Sequence, residues 1–314
     1  MLRYSLKRIL QSALTLFIVI TVVFLLMRLM PEEGYFGTGS DKLDAAQKEN
    51  ILRSYGLRDP MYLQLKNFYS SLLKGDLGTS IIYRPKVPVS VILKGKVFYS
   101  LYLGLASIGV SLVLGIGLGI LMSQYKGKLW DKLGTVYIVV INAVPAAVYY
   151  LFIQLYTTEW FKLPILFDVD KPVSWILPIV SMSLGSMAGY AMWMRRYMVD
   201  ELNKDYIRLA KAKGLKNSAV MVRHVMRNAF VPMAQYLPTS ILLTIAGSLY
   251  IEYLYSIPGM GGLLIDAIQR QDNPLVQALV LIYSAVSILG LFLGDLLMAL
   301  CDPRIKLEHQ GGSR

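Results

Sequence analysis

The stretch Asp205-Tyr206-Ile207-Arg208-Leu209-Ala210-Lys211-Ala212-Lys213-Gly214-Leu215 is a basic, hydrophilic segment lying between long apolar runs. Nine Lys or Arg fall between Arg195 and Arg227, against three acids, Asp200, Glu201 and Asp205. Charge of that sign and density between membrane spans marks a cytoplasmic loop. The residue order predicts a short helix with small residues at Ala210 and Ala212, stopped by Gly214 and followed by His224 and Arg227-Asn228. Such a helix suits the grip of a partner protein. It equally fits an amphipathic helix lying on the membrane surface.

The chain around this segment has 314 residues, 55% hydrophobic and 17% charged. A soluble domain carries about 25% charge. The deficit sits in several apolar runs, each long enough to cross a bilayer, which takes about 20 residues. The fold class is therefore an all-α polytopic membrane protein. A net charge of +12 invites a nucleic-acid reading, but the charge is concentrated in loops flanking the spans, where membrane proteins are basic. The single cysteine, Cys301, allows no disulfide within the chain, and two histidines argue against a histidine-rich metal site.

The spans can be counted outward from the basic loop. Arg3, Lys7 and Arg8 precede the apolar run Ile9 to Leu26, which is too long for a signal-peptide core of about 7–15 residues and reads as an uncleaved first span. With the N-terminus inside, residues 29–98 form an extracytoplasmic insert with ten basic and seven acidic residues. Helices are predicted within it over Asp41 to Tyr55 and Met61 to Leu73. The second span covers Tyr99 to Ser123, and its Gly104, Gly109, Gly115, Gly117 and Gly119 would permit close helix contact. The third covers Leu133 to Tyr156 with a kink at Pro145, and the fourth Trp175 to Met194. After the loop over 195–229, a fifth span runs from Phe230 to Tyr250 and a sixth from Leu275 to Leu300. Residues 99–300 thus make a transmembrane core, and 301–314 a cytoplasmic tail. Six spans with both termini inside satisfy the charge rule in every short loop.

The chemistry of enzymes is missing from this pattern. No phosphate-binding glycine loop, zinc-protease helix motif or nucleophile elbow occurs. The clear intramembrane acid is Asp295, which reads either as functional or as a structural hydrogen-bonding group. On the fifth span Thr244, Gly247 and Ser248 are candidates for lining a pore, or for bonding one helix to another. The segment Glu252 to Gly261, with Pro258, Gly259 and Gly261, reads as an outer turn that meets a delivery protein or re-enters the membrane. A stand-alone secondary transporter would show internal repeats, and none is visible. An intramembrane enzyme would need titratable groups the spans do not supply.

The segment Asp205 to Leu215, followed by His224-Val225-Met226-Arg227-Asn228-Ala229, resembles the coupling loop of ABC importer permeases in the oligopeptide, dipeptide and nickel branch. Against the generic coupling-loop pattern, Arg208 stands where Glu is usual and Leu209 where Ala is usual, and only Ala210 and Gly214 match. The resemblance covers nearly the whole chain: Met1-Leu2-Arg3-Tyr4, Tyr55 to Pro60, Gly75 to Ser80, Ser256 to Gly261 and Asp302-Pro303-Arg304 are similar to the branch in the expected order. Tyr255 departs from the usual Phe, and Met30-Pro31-Glu32-Glu33 from the usual turn after the first span.

The resemblance implies six transmembrane helices of type I importer architecture, in the member of the permease pair with the larger insert. It implies a bacterial inner-membrane location and no cofactor in this chain, with ATP and Mg bound by two cytoplasmic ATPase partners. A second homologous permease and an extracytoplasmic substrate-binding protein would complete the system. Asp205, Tyr206, Arg208, Ala210, Ala212, Lys213, Gly214, Leu215, His224, Arg227 and Asn228 would form the contact with the ATPase. Short peptides are the expected substrate, with nickel chelates, glutathione and opine-like solutes as alternatives in the same branch.

Overall fold

The computed structural model describes residues 2–36, 43–215, 217–230, 232–233, 237, 240 and 249–301. Among them the chain is helical, with one isolated bridge between Thr79 and Pro88. Four helical stretches are long and apolar enough to cross a membrane: Ile9–Met27, Val89–Gln124, Pro172–Leu202 and Asn273–Leu293. A fifth candidate is the bent pair Leu129–Ala143 and Ala146–Phe161. Most of the expected fifth span, over 230–250, lies outside the described residues.

Helix α1 is Leu2–Met27. The insert contributes α2, Ala45–Ser54, α3, Met61–Leu73, and α4, Val89–Lys94. Helix α2 begins at Ala45 because Asp44 caps it: its carboxylate accepts the Gln47 N–H at 2.6 Å, and the Gln47 side chain accepts the Asp44 N–H in return. Helix α3 touches α1 through aromatic contacts at Phe68 and Tyr69. Tyr69 stacks on Phe17, bonds to Thr21 at 2.7 Å, and Phe68 meets the Phe24 ring at 4.8 Å. Glu32, in the turn after α1, takes two hydrogen bonds from Arg58, which also reaches Glu49. Hydrogen bonds from Arg58 and then Arg53 hold the Glu49 carboxyl below its ordinary range.

Helix α5, Val97–Gln124, packs against α9, Ile176–Leu202, over most of its length. Gly115 and Gly119 lie on the shared face, one turn apart. A methyl group at either would stand 2.7 Å from a carbonyl oxygen of α9. Gly109 and Gly117 point into open space instead, and Gly104 is buried.

Between these lie α6, Leu129–Ala143, α7, Ala146–Phe152, and the short α8, Thr158–Phe161. The expected kink at Pro145 is a full break: α6 and the following helix meet at 108°. Proline has no N–H to continue the ladder, and its ring drives the preceding residue out of the helical region. Val144 accordingly sits at φ −91°, ψ 129°.

Helix α9 continues past Met194 to Leu202, so Arg195 and Arg196 are helical rather than part of a loop. Then come α10, Asp205–Ala212, and α11, Asn217–Val220, which runs on through a π-type turn at Met221–Met226. The chain ends with α12, Leu249–Leu254, α13, Met260–Gln269, and α14, Asn273–Cys301. Helix α14 packs on α1. An apolar cluster of Met27, Val89, Ile92, Leu263, Leu275 and Leu279 joins α1, α4, α13 and α14 at the insert end of the bundle.

Candidate functional site

The basic loop is a packed shelf at the end of α9. Ile207 is fully buried and Ala210 nearly so, against Met194, Met198, Val220, Met221 and Val225. Residues three apart share a helix face, whereas residues two apart lie about 200° around it. Ala210 therefore faces the protein while Ala212 is exposed, and the expected small-residue face made of both does not form. The outward side carries Leu209, Arg208, Ala212, Lys213 and Leu215, with Leu209 57% exposed and Leu215 44% exposed. The Arg208–Asp205 pair, at 3.5 Å, is open to water on both sides and adds little stability.

Gly214 ends the helix. Its φ is +78°, and the Leu215 N–H reaches back to the Ala210 carbonyl at 3.3 Å, closing the last turn. A Cβ at Gly214 would meet nothing within 4 Å, so the glycine serves backbone geometry.

Tyr206 and Asn228, both named by the sequence pattern, meet in one cluster. The Tyr206 hydroxyl donates a short hydrogen bond to Glu201, and Asn228 donates to the Tyr206 oxygen at 2.7 Å and to Glu201 at 3.3 Å. Burial, with the bond to Glu201, raises the Tyr206 phenol above its ordinary range, so the hydroxyl keeps its proton to donate. These three side chains tie α10 to the end of α9 and to the helix after α11. His224 is half-buried on that helix and Arg227 is exposed.

Glu201 escaped the sequence reading because it looks like a solvated acid in a charged run. Asp131 escaped for the opposite reason: it is a lone acid among Lys126, Lys128 and Lys132. It is nearly buried and receives both arms of Arg195, at 2.5 and 2.8 Å, plus the Gly127 N–H at 2.8 Å. This bidentate pair fixes the start of α6 to α9 about two turns before that helix ends.

At the opposite end of the bundle, Glu252 does not face outward as expected. It is fully buried, and its carboxylate accepts the Gly261 N–H at 2.6 Å. The Met260 N–H goes to Ser100 Oγ at 2.8 Å. The first turn of a helix leaves its N–H groups without intrahelical partners, and Glu252 and Ser100 satisfy two of them on α13. Gly259 and Gly261 are buried in this contact: a Cβ at Gly259 would collide with the Glu252 carboxylate and the Ser100 hydroxyl. Pro258 is partly buried, and Tyr253 and Ser256 are exposed. Tyr255, in place of the usual Phe, is fully buried with its hydroxyl bonded to Ser181 at 2.9 Å.

Thr244, Gly247 and Ser248 lie outside the described residues, as does the side chain of Asp295 on α14. Among the described residues no cluster of His, Cys, Asp and Glu could hold a metal ion.

Apolar helices of spanning length and a packed basic shelf define a multi-pass membrane protein. The chain belongs to the family of binding-protein-dependent transport system inner membrane components: that family's model matches residues 115–307, and the model of its N-terminal part matches residues 1–100. The chain is 33% identical to a dipeptide transport system permease protein of Bacillus subtilis, over 99% of this chain and all of that one. It is 32% identical to a glutathione transport system permease protein of Pectobacterium atrosepticum, over 98% of this chain and all of the relative. A solved amino acid ABC transporter superposes with a TM-score of 0.53 at 15% identity, covering 68% of this chain and 94% of its own, which supports the fold. The chain is therefore a non-catalytic permease subunit of the inner membrane.

Proposed function

We propose that this chain forms one half of the pore of an ATP-driven importer of short peptides. It would pair with a second, homologous permease. Two ATPases would dock at its cytoplasmic face, and a binding protein would deliver substrate to the insert side. Both termini would be cytoplasmic. The observation that carries this reading is the build of α10: anchored inward by Ile207 and Ala210, it presents Leu209, Ala212, Lys213 and Leu215 to a partner. A helix exposed on one side and locked on the other passes on a push without deforming.

ATP binding would close the ATPases and displace this helix. The Tyr206–Glu201–Asn228 cluster and the Arg195–Asp131 pair would carry the displacement into α9 and α6. The break at Pro145 lets α6 and the following helix move as separate pieces. Thr244, Gly247 and Ser248 would line the path, where small side chains pass varied peptides without holding them. Arg227 and His224 would flank the docking surface.

The peptide substrate rests on the dipeptide permease among the relatives, and glutathione is the second reading because a glutathione permease matches to a similar degree. The test is co-expression with candidate ATPase and binding-protein partners, purification in mild detergent and uptake into liposomes. The expected result is ATPase retained on the permease and dipeptide uptake that requires both ATP and binding protein. Uptake by this chain alone would overturn the reading, and uptake of glutathione but not of dipeptides would move the substrate.

A further inference from the structure

A cavity of about 320 Å³ lies where the insert meets α1 and α14. One wall is Arg28, directly after the first span; another is α3, with Gln64 and Asn67; Gln277 of α14 closes the third, and Asp76 stands at the rim. The size suits a molecule of a few to some twenty heavy atoms.

One charge in this cavity is unusual. Arg28 is partly buried, donates to the Tyr35 hydroxyl at 3.0 Å and lies 4.6 Å from the Phe24 ring centroid, yet it forms no ion pair among the described residues. Its Nε and the Gln64 Oε1 are buried without hydrogen-bond partners. Gln64 is itself only 8% exposed, and its amide group is already committed to the Leu57 and Asp59 carbonyls. Asp76 takes the Gly78 N–H and likewise forms no ion pair among the described residues. Elsewhere in the insert Glu32, Arg58 and Glu49 are joined in one network. A half-buried charge is ordinarily paired. Arg28 departs from that pattern, and Asp76, an exposed anion, lines the same cavity without meeting it.

We propose that this cavity binds a small zwitterion, its anionic end on Arg28 and its ammonium on Asp76, with Asn67 and Gln277 available to its polar middle. A guanidinium takes a carboxylate or phosphate side-on, and a carboxylate takes an ammonium. Two sources carry that chemistry: a free dipeptide or amino acid from the aqueous side, and the headgroup of phosphatidylethanolamine from the membrane. Because α3, α14 and Arg28, the residue after α1, all contribute, an occupant joins the insert to α14 and to the end of the first span.

The test uses the full chain in phosphatidylcholine nanodiscs without partners, with dialanine as probe read by saturation-transfer NMR. Dialanine is compared with acetyl-dialanine, which lacks the ammonium, and dialanine amide, which lacks the carboxylate. Arg28→Gln should weaken dialanine by about tenfold or more, the usual effect of losing a charge-assisted hydrogen bond, and each analogue should bind worse than dialanine. If Arg28→Gln fails to insert, Asn67→Trp, which fills the cavity from an exposed position, must abolish binding. A dialanine site on the transport path would not respond to Asn67→Trp. The lipid source is identified when phosphatidylethanolamine, and not dialanine, stays on the wild-type chain in native mass spectrometry and is released by Arg28→Gln. Dialanine binding unchanged in both variants, or no retention of either molecule, overturns the proposal.

Discussion

Asp272 and Ser80 lie 192 positions apart and hydrogen-bond at 2.6 Å in a site closed to solvent. The same carboxylate accepts the backbone N–H groups of Ile81, Ile82 and Tyr83, at 2.9 to 3.3 Å. It also stands over the first turn of α14, 3.4 Å from the Leu275 N–H. One side chain thus fastens the loop of the insert to the start of the last span.

Removing that fastener should loosen the insert without touching the basic shelf. Asp272→Ala leaves a buried hydroxyl and three N–H groups without an acceptor, at about 1–3 kcal/mol for each one that water cannot reach. Asp272→Asn keeps one oxygen and should cost less. Limited proteolysis of the intact permease should cut between Ile81 and Val87 fastest in Asp272→Ala, more slowly in Asp272→Asn and least in the native chain. Equal protection in all three would show that the loop is held elsewhere.

The Arg195–Asp131 pair should matter for packing and for drive together. Breaking a largely buried pair from one side costs about 3–5 kcal/mol, and less here because Arg195 is 31% exposed. Arg195→Ala and Asp131→Ala should lower the thermal midpoint by similar amounts. The double variant should lose less than the sum, since neither leaves a charge behind. Strict additivity would mean that the two residues do not act as a pair.

Gly259→Ala should displace the turn before α13. The added methyl has nowhere to go between the Glu252 carboxylate and the Ser100 hydroxyl, and overpacking of this kind costs about 1–3 kcal/mol. Glu252→Gln, which keeps an acceptor for the Gly261 N–H, should be milder than Glu252→Ala. Thermal unfolding of the purified permease in nanodiscs ranks the three. A Gly259→Ala chain as stable as the native one would contradict the packing described.

Gly214 makes a sharper separation of fold from function. The left-handed backbone there disfavours any side chain by about 1–2 kcal/mol, and the space beyond it is open. Gly214→Ala should therefore fold with a modest loss of stability. Gly214→Trp should insert normally and abolish uptake, because the added bulk would project into the surface proposed to dock the ATPase. Substrate binding by the delivery protein should be untouched. Normal uptake by Gly214→Trp would remove the loop from the drive mechanism.

Much of this was legible in the residues. The spans over 9–27 and 99–123, helix α3 and the glycine stop at Gly214 follow from apolar run length, punctuation and charge. Gly115 and Gly119 were readable as a contact face because they fall one turn apart. What stayed hidden depends on tertiary partners. Ala210 and Ala212 look alike in sequence and are separated by the turn of the helix. Glu252 reads as an outward acid until the N-terminus of α13 arrives beside it. Asp131, Asp272 and Glu201 are ordinary acids in their local context, and their roles are set by Arg195, the loop over 80–83, and Tyr206. Pro145 announced a disturbance but not its size, because the angle of a broken helix is chosen by what its second half packs against.

If α10 carries the motion of a partner ATPase into the membrane, its two sides must meet different partners. A photo-crosslinking amino acid placed at Leu209, which is exposed, should link this chain to the ATPase in the assembled transporter, with a yield that changes on ATP binding. The same group at Ile207, which is buried, should link only within the permease. No link from Leu209, or an equal link from both positions, would contradict the account.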